Sequence, residues 1–506
     1  MMFGLASRLL TGAVLAFAAA AFVPSALAQS AGKVTIAMPS DVPSLDPTVD
    51  TSPIGLNVRL NVYDQLTEIS ADGVVMPRLA TSWEASADAL TWTFTLRENA
   101  KFHDGKPVTT DDVLWTYNKI MADTKSPVRT YLSKIKSMEK LSDHKLRIVL
   151  VEPFAPFDRQ VSLVSIVPKE AYERLGATQF NQTPIGSGPY KVVRWVKDDR
   201  IELEAFADYW DGPAKVKTAI FRPIPAEASR VATLLSGEID VVPMLPPALA
   251  DRLNNSSAGT KAQKVDSHKV VYLGYDVTNG ILGNLDFRKA IDSSIDREAI
   301  AGKLLRGFGR PTAQVVAPVS FGYDATIAPT KFDPEVAKKL LQSSGYKGEK
   351  VTIQYPSANF NSTDEVVQAV AGYLKAVGIN VELQGMEYTA FFPLWAGKKL
   401  NSMHAFTYGP TTLDADLPLT SLYETGRSRG YWSDSKVDEL IRAQRAEPNA
   451  DKRKALITQI FKIGKDNVVY SPLYTETHVW GIRDRVRITP RPDGLVRLRD
   501  IAVSGS

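Results

Sequence analysis

The stretch "VTIQYPSANFNSTDEVVQAVAGYLKAVGINVELQGM", residues 351–386, contains two changes of hydrophobic period. Its opening "VTIQYP" is predicted to be a strand. "STDEVVQAVAGYLKAVG" is predicted to be a helix capped by Ser362, with Glu365 three residues on and Val366, Val370, Tyr373 and Leu374 on one buried face. "INVELQGM" returns to strand. Strand, helix and strand at this spacing predict a parallel βαβ unit with a right-handed crossover. Open sheets of this kind present ligands at the carboxyl ends of their strands, here the loop "PSANFNST" at 356–363. Just upstream, "DPEVAKKLLQSSG" (333–345) predicts a second helix, with Asp333 as cap, Pro334 at the first helical position and Gly345 as the stop.

The N-terminal half has a different rhythm. "KVTIAM" (33–38) alternates as a strand and runs into the Pro/Asp/Ser-rich loop "PSDVPSLDPTVD". "LTWTFTLREN" (90–99) sets Trp92, Phe94 and Leu96 on one face and three threonines on the other. "TTDDVLWTYNKIM" (109–121) predicts a helix, capped by the Thr109/Asp112 pair and burying Val113, Tyr117, Ile120 and Met121. This half reads as mixed α+β. Two lobes of different make, with a hinge around "KVVYLGYDV" (269–277), are the coarse expectation.

Length agrees, since 506 residues exceed the about 250–300 at which single cores stop growing. Composition is that of a globular protein, 44% hydrophobic and 23% charged. A net charge of only +4, spread along the chain, does not suggest a nucleic-acid partner. The first residues, "MMFGLASRLLTGAVLAFAAAAFVPSALAQS", place Arg8 before an apolar run that closes on Pro24, Ser25 and a small-x-small site. That is the layout of a secretory signal peptide cleaved after Ala28, and the run is too short for the roughly 20 residues that span a bilayer. The chain has no cysteine, so neither disulfides nor a cysteine-borne lipid anchor is available. The expected product is free in the periplasm.

Chemistry is sparse. His103-Asp104 in "FHDGKPVT" is the one tempting dyad among five histidines, but neighbours in extended chain point to opposite sides. Asp104-Gly105 is a tight-turn signal. The other histidines (144, 268, 404 and 478) have no metal-ligand spacing, so no metal site is expected. Ser-x-x-Lys occurs at Ser137, Ser142 and Ser344 without the companion elements that give it meaning. There is no phosphate loop or dinucleotide fingerprint, and no cofactor is expected. Aromatic residues in "GMEYTAFFPLWAG", "FTYGPTT" and "GYWSD" sit in Gly/Pro-flanked, loop-like settings suited to stacking in a cleft. A binder, not an enzyme, is expected.

Several blocks in order carry a resemblance: "LATSWEASADALTWTFTLRENAKFHDGKPVTTDDV" (79–113), "PIGSGPYKVVRW" (184–195), "ADYWDG" (207–212), "LLSGEIDVV" (234–242) and "DFRKAIDSSIDREAI" (286–300). Together they resemble the peptide/nickel family of extracellular solute-binding proteins of ABC importers. The resemblance implies an α/β fold of two lobes joined by two crossing strands, with an extra subdomain in lobe one. Lobe one would span 29–272, lobe two 277–475, and the return strand with the C-terminal segment 476–506. It implies a monomer that closes on a small-molecule or short-peptide ligand and delivers it to a membrane permease.

Peptide-binding members resemble one another in Gly-Trp-x-x-Asp, whose Asp holds the peptide amine. Aligned on Gly409, this chain has Pro410 and Leu413 at those positions, with Asp414 one residue late and Asp416 at a second acidic position. Either Asp414 takes the role or the ligand is not a free-amino peptide. An opine, an oligosaccharide or, with only His404 near, a nickel chelate are the alternatives. A secreted hydrolase using Asp414/Asp416 is the alternative of another class. The expected ligand contacts are Pro43, Ser44, Leu45 and Asp46 from lobe one. From lobe two they are Ser357, Asn359, Trp395, Tyr408, Gly409, Asp414, Asp416 and Trp432.

Overall fold

The computed structural model describes residues 32–426 and 429–504, so the expected leader at 1–28 lies outside the described residues. The βαβ unit forms as the periodicity requires. Strand Val351–Pro356 runs parallel to Val381–Met386, in register from Val351↔Val381 to Pro356↔Met386, and parallel to Met403–Tyr408 on its other side. Helix Thr363–Ala376 connects the first two and buries Val366, Val370 and Leu374, while Tyr373 stays half-buried.

Its start differs from expectation. Ser362 takes a left-handed conformation (φ 55°) and its side chain caps nothing. Thr363 ties the turn instead, donating to the Phe360 carbonyl at 2.6 Å and accepting the Phe360 N–H at 3.0 Å. A capping serine needs extended backbone, which a left-handed residue cannot supply.

The strands belong to one sheet that passes through both lobes. Its order is Val381–Met386, Val351–Pro356, Met403–Tyr408, Thr260–Tyr275, Tyr470–Arg483, Val241–Leu245, Lys33–Met38, Thr218–Pro223, Arg200–Ala205 and Tyr190–Val196. The two long central strands pair antiparallel from Thr260↔Arg483 to Gly274↔Tyr470 and carry the chain between lobes. Lys33–Met38, parallel to Thr218–Pro223, centres the other lobe. Separate cores form around Ile353, Val370 and Leu374 in one lobe and Ile36, Tyr190 and Trp480 in the other.

A four-stranded antiparallel sheet (Ala80–Ala85, Thr91–Leu96, Lys145–Leu150 and Ile135–Ser142) packs with helix Thr110–Ala122 as a further layer. There Trp92, Phe94 and Leu96 are buried as the alternation requires. The Asp112 carboxylate accepts both the Thr109 N–H and its hydroxyl at 3.0 Å.

His103 and Asp104 form no dyad. Asp104 is exposed and accepts the Lys106 N–H at 3.2 Å, closing the turn. His103 faces the opposite way: its Nδ1 accepts the Gly186 N–H at 3.1 Å, so its Nε2–H donates to the Gly188 carbonyl at 3.0 Å. Burial pushes this imidazole down from 6.5 to about 4, against the pull of the Gly188 bond. His404 and His478 are likewise pushed down, each to about 3, by burial.

Between those values and 6.5 each of these histidines is protonated in the unfolded chain and neutral in the folded protein. The contribution to stability is therefore complete above pH 6.5 and is lost as pH falls towards 4, at about 1.4 kcal/mol per unit for each histidine. The melting temperature is expected to be level near neutrality and to fall steadily below pH 6.5. A melting temperature that rose between pH 6.5 and 5 would contradict this assignment.

Candidate functional site at the crossing strands

The crossing strands are not regular. Pairing runs to Asp266↔Thr477 and resumes at Val270↔Thr475, so Ser267, His268 and Lys269 stand opposite the single residue Glu476. A bulge of this kind bends the strand and re-aims its side chains, and bulges are frequent beside functional sites. Here it turns polar residues into the space between the lobes. A cavity of about 250 Å³ is walled by Asp50, Pro53, Leu56 and Arg59 from one lobe, His268 and Lys269 from the bulge, and Gly409 and Thr411 from the other lobe. A second, of about 420 Å³, is walled by Met244, Lys269, Asn359, Phe360, Glu476 and His478. Lys269 lines both.

Two backbone features shape these walls. A Cβ on Gly409 would stand 2.7 Å from Lys269 Cγ and 2.8 Å from His268 Cδ2, so only glycine lets this loop lie against the bulge. Met244, Ala358 and Ser362, all lining the larger cavity, have φ 55°, and Leu413 has φ 47°. Left-handed non-glycine residues are uncommon and gather where binding loops are held in shape by their surroundings.

The acids near the cleft are mostly occupied. Asp50 pairs with Arg59, and Asp493 with Arg491 at 2.6 Å. Asp414 is gripped by Arg453 at 2.8 and 2.5 Å, with Arg159 Nε at 3.3 Å. Burial alone would push the Asp414 carboxyl up, but the Arg453 guanidinium outweighs it and holds the group below the usual carboxylate range. Asp416 accepts from Arg445 at 2.9 Å and from Gln444 at 2.5 Å. Glu476 differs: it is buried, accepts the Asn361 N–H at 3.2 Å and makes no ion pair among the described residues. Burial pushes its carboxyl up, with Lys269 pulling the other way.

The structure brings together some of the residues expected from sequence. Asn359 and Gly409 wall the two cavities, and Asp414 and Asp416 face a third of about 280 Å³ beside Tyr131, Phe154 and Arg445. Ser357 ends its strand, its N–H bonded to the Met386 carbonyl. Tyr408 donates to Ser421 Oγ at 2.8 Å.

None of Pro43, Ser44, Leu45 and Asp46 is among the residues that wall these cavities. Pro43 is exposed, and Ser44 Oγ and the Leu45 N–H both meet Asn181 Oδ1 at 2.8 Å. Asp46 accepts the Tyr172 hydroxyl at 2.5 Å and Thr48 Oγ1 at 2.7 Å, so it is spent on its own turn.

The segment read as an aromatic loop is a helix, Tyr388–Ala396. Phe391 and Trp395, four apart, share a face and pack on Phe406, with centroids 5.1 and 4.6 Å away. Trp395 is therefore core, with the Arg429 guanidinium over its ring at 4.5 Å, and Trp432 packs half-buried on the same cluster. Sequence reading passed over His268, Lys269, Glu476 and His478. The available signal was a polar break, "DSHK" and "TETH", inside strands otherwise rich in Val, Tyr and Leu.

Arg159 comes from the short helix Phe157–Val161 beside the antiparallel sheet, and Asp414 from the loop after Met403–Tyr408. It also donates to the Thr412 and Leu413 carbonyls at 3.3 and 3.2 Å, tying the two halves together. Arg159→Met leaves Asp414 its Arg453 partner, so it removes only this link. The expected result is a larger radius of gyration in solution scattering and a loss of about 1–3 kcal/mol of stability. An unchanged scattering profile would show that the link does not hold the lobes.

Two lobes, two crossing strands and a polar cleft between them define a protein that encloses a ligand and lets it go. The chain matches the family described as bacterial extracellular solute-binding proteins, family 5, over residues 74–430, and it belongs to that family. It is 28% identical over 457 residues to the dipeptide-binding protein of Pseudomonas aeruginosa, covering 83% of this chain and 84% of that one. It is 26% identical over 472 residues to the probable D,D-dipeptide-binding periplasmic protein DdpA of Escherichia coli, covering 90% of each. Among solved structures, HbpA2 from Haemophilus parasuis superposes with a TM-score of 0.84 at 23% identity, over 93% of this chain and 100% of that one. The unliganded, open MppA periplasmic murein tripeptide binding protein gives 0.83 at 22%, over 94% and 98%. The protein is thus a binding protein and not an enzyme.

Proposed function

We propose that this chain is the periplasmic receptor of an ABC importer. It is exported under a cleavable leader at 1–28, works as a monomer, holds one peptide-like or other polar small ligand in the cleft, and hands it to a membrane permease. Lobe one is taken as 29–272 with the return segment 476–506, and lobe two as 277–475.

The observation that carries this reading is the 250 Å³ cavity, whose walls come from both lobes and from the bulged strand between them. A ligand there touches both lobes, so it stabilises the arrangement that encloses it by its differential affinity for that state. The mixture of apolar walls (Pro53, Leu56, Leu163 and Leu495) with polar groups suits a small molecule that carries both kinds of surface. The names of the dipeptide-binding relatives support a peptide-like ligand. Leu413 and the occupied Asp414 favour a ligand not gripped there by a free amine, which keeps opines and other polar solutes as the second reading.

The test is native mass spectrometry of protein released by osmotic shock, with the bound ligand identified after denaturation. A short peptide in the complex is the expected result. Recovery from the cytoplasmic fraction, or consumption of a co-purified ligand, would overturn the receptor reading.

A further inference from the structure

We propose that Lys269 is the charge-recognising residue of the cleft, and that the ligand is a carboxylate held by its acid group and not by an amine. This rests on the receptor reading above and adds the chemistry of its ligand.

Lys269 is half-buried on the bulge and lines both cavities, yet among the described residues no carboxylate lies within 4.0 Å of its ammonium. Asp364 and Glu365 also line the larger cavity, from the exposed first turn of helix Thr363–Ala376, and neither comes within 4.0 Å of it. Asp50 and Asp493 have their own arginines. His268 donates its Nδ1–H to the Pro492 carbonyl at 3.0 Å, and both His268 and His478 are pushed down by burial, so neither adds a second cation. Glu476, opposite across the bulge, is buried and bonded to the Asn361 N–H, and burial favours its neutral form. Glu227 lines the larger cavity and pairs loosely with Arg230, 3.8 Å away. What Lys269 offers, among the described residues, is a cation with no ion-pair partner beside the apolar walls Pro53, Leu56 and Leu495. A cation already partly desolvated is stabilised by an incoming anion far more than one in water.

At the loop where an amine-binding acid would be sought, Leu413 is buried and apolar, and Asp414 has no free lone pair to spare from Arg453 and Arg159. A ligand ammonium placed there would compete with two guanidinium groups for one carboxylate, so recognition falls on the negative end. Gly409 contributes by leaving room for the stem of Lys269, whose Cγ would meet a Cβ there at 2.7 Å.

The experiment uses the whole mature protein and mixed dipeptide pools in three forms: free, N-acetylated and C-terminally amidated. Binding is read by thermal shift and then by calorimetry on the best-binding members. Free and N-acetylated pools are expected to stabilise the protein, and the amidated pool to bind at least about tenfold more weakly. Lys269→Met should bring the free and amidated forms to the same weak affinity, and Lys269→Arg should restore most of the difference.

Equal binding of the amidated pool, or loss of binding on N-acetylation, overturns the inference while leaving the receptor reading intact. Silence from all three pools overturns the inference together with the peptide-like ligand, and leaves the receptor reading to the second class of polar solutes. Lys269→Met protein that binds the free acid as tightly as the parent overturns the role of this residue even if the acid preference stands.

Discussion

Asp414→Ala is expected to lower the unfolding free energy by about 3–5 kcal/mol, one of the largest effects of any polar substitution in this chain. Asp414 is 1% exposed and its two oxygens take both Nη atoms of Arg453, at 2.8 and 2.5 Å, while Arg159 approaches at 3.3 Å. Arg453 is itself buried and donates its Nε–H to Gln444 at 2.9 Å, so it cannot swing out to water. Removing the carboxylate strands a buried guanidinium whose largest compensating attraction is to Asp414. Asp414→Ala/Arg453→Met removes both charges and should recover most of the loss, since a buried pair replaced as a unit is often close to neutral. Chemical denaturation of the two variants checks this. A single variant as stable as the parent would show that Arg453 finds other partners. Loss of ligand binding in Asp414→Ala would therefore report the fold and not a ligand contact.

Gly188→Ala is expected to cost about 3 kcal/mol, the upper end of what forced overpacking does. The turn "GSGPY" (186–190) is pressed onto the end of helix Pro53–Val62. The Gly188 N–H donates to the Val62 carbonyl at 2.9 Å. A Cβ at 188 would lie 2.6 Å from Val62 C and 2.8 Å from Tyr63 N, and one at 186 would lie 2.0 Å from Val62 O. These are backbone atoms, so no rotamer change relieves the clash. Gly105→Ala is the control: its φ of 88° is strained for alanine, but nothing lies within 4 Å, so it should cost only about 1 kcal/mol. Equal urea midpoints for the two variants would show that the close approach is not what demands glycine at 188.

Most of the fold is legible in the chain. The 351–386 stretch folds into the parallel unit its periodicity requires, and the 90–121 stretch into strand, turn and capped helix. Both are local patterns whose buried faces can be counted along the sequence. The cap at Ser362 was misread because the loop geometry leading into the helix, not the residue type, sets the backbone there. The aromatic segment at 387–397 was misread because Pro393 and the glycines suggested a loop. The four-residue spacing of Phe391 and Trp395 against Phe406 makes it a packed helix instead.

The site was less legible than the fold. Asn359 was proposed because it follows a strand of the parallel unit, where open sheets present ligands, and Gly409 and Asp414 because the resemblance singles out their loop. Lys269 and Glu476 were not, because their strands are 16 and 14 residues long and read as continuous.

By itself, then, the sequence determined the two-lobe α/β class, the family and the absence of a His103-Asp104 dyad, since each rests on short-range period, turn chemistry or ordered blocks. Only the tertiary structure decided which charges are free. Asp414 and Lys269 each stand beside an apolar run with another charge two or three residues away, and nothing local separates them. The one is silenced by Arg453, 39 residues away, and the other is left unpaired by a bulge against a strand some two hundred residues further on. Pairing of charges depends on distance in space, which a one-dimensional pattern does not contain.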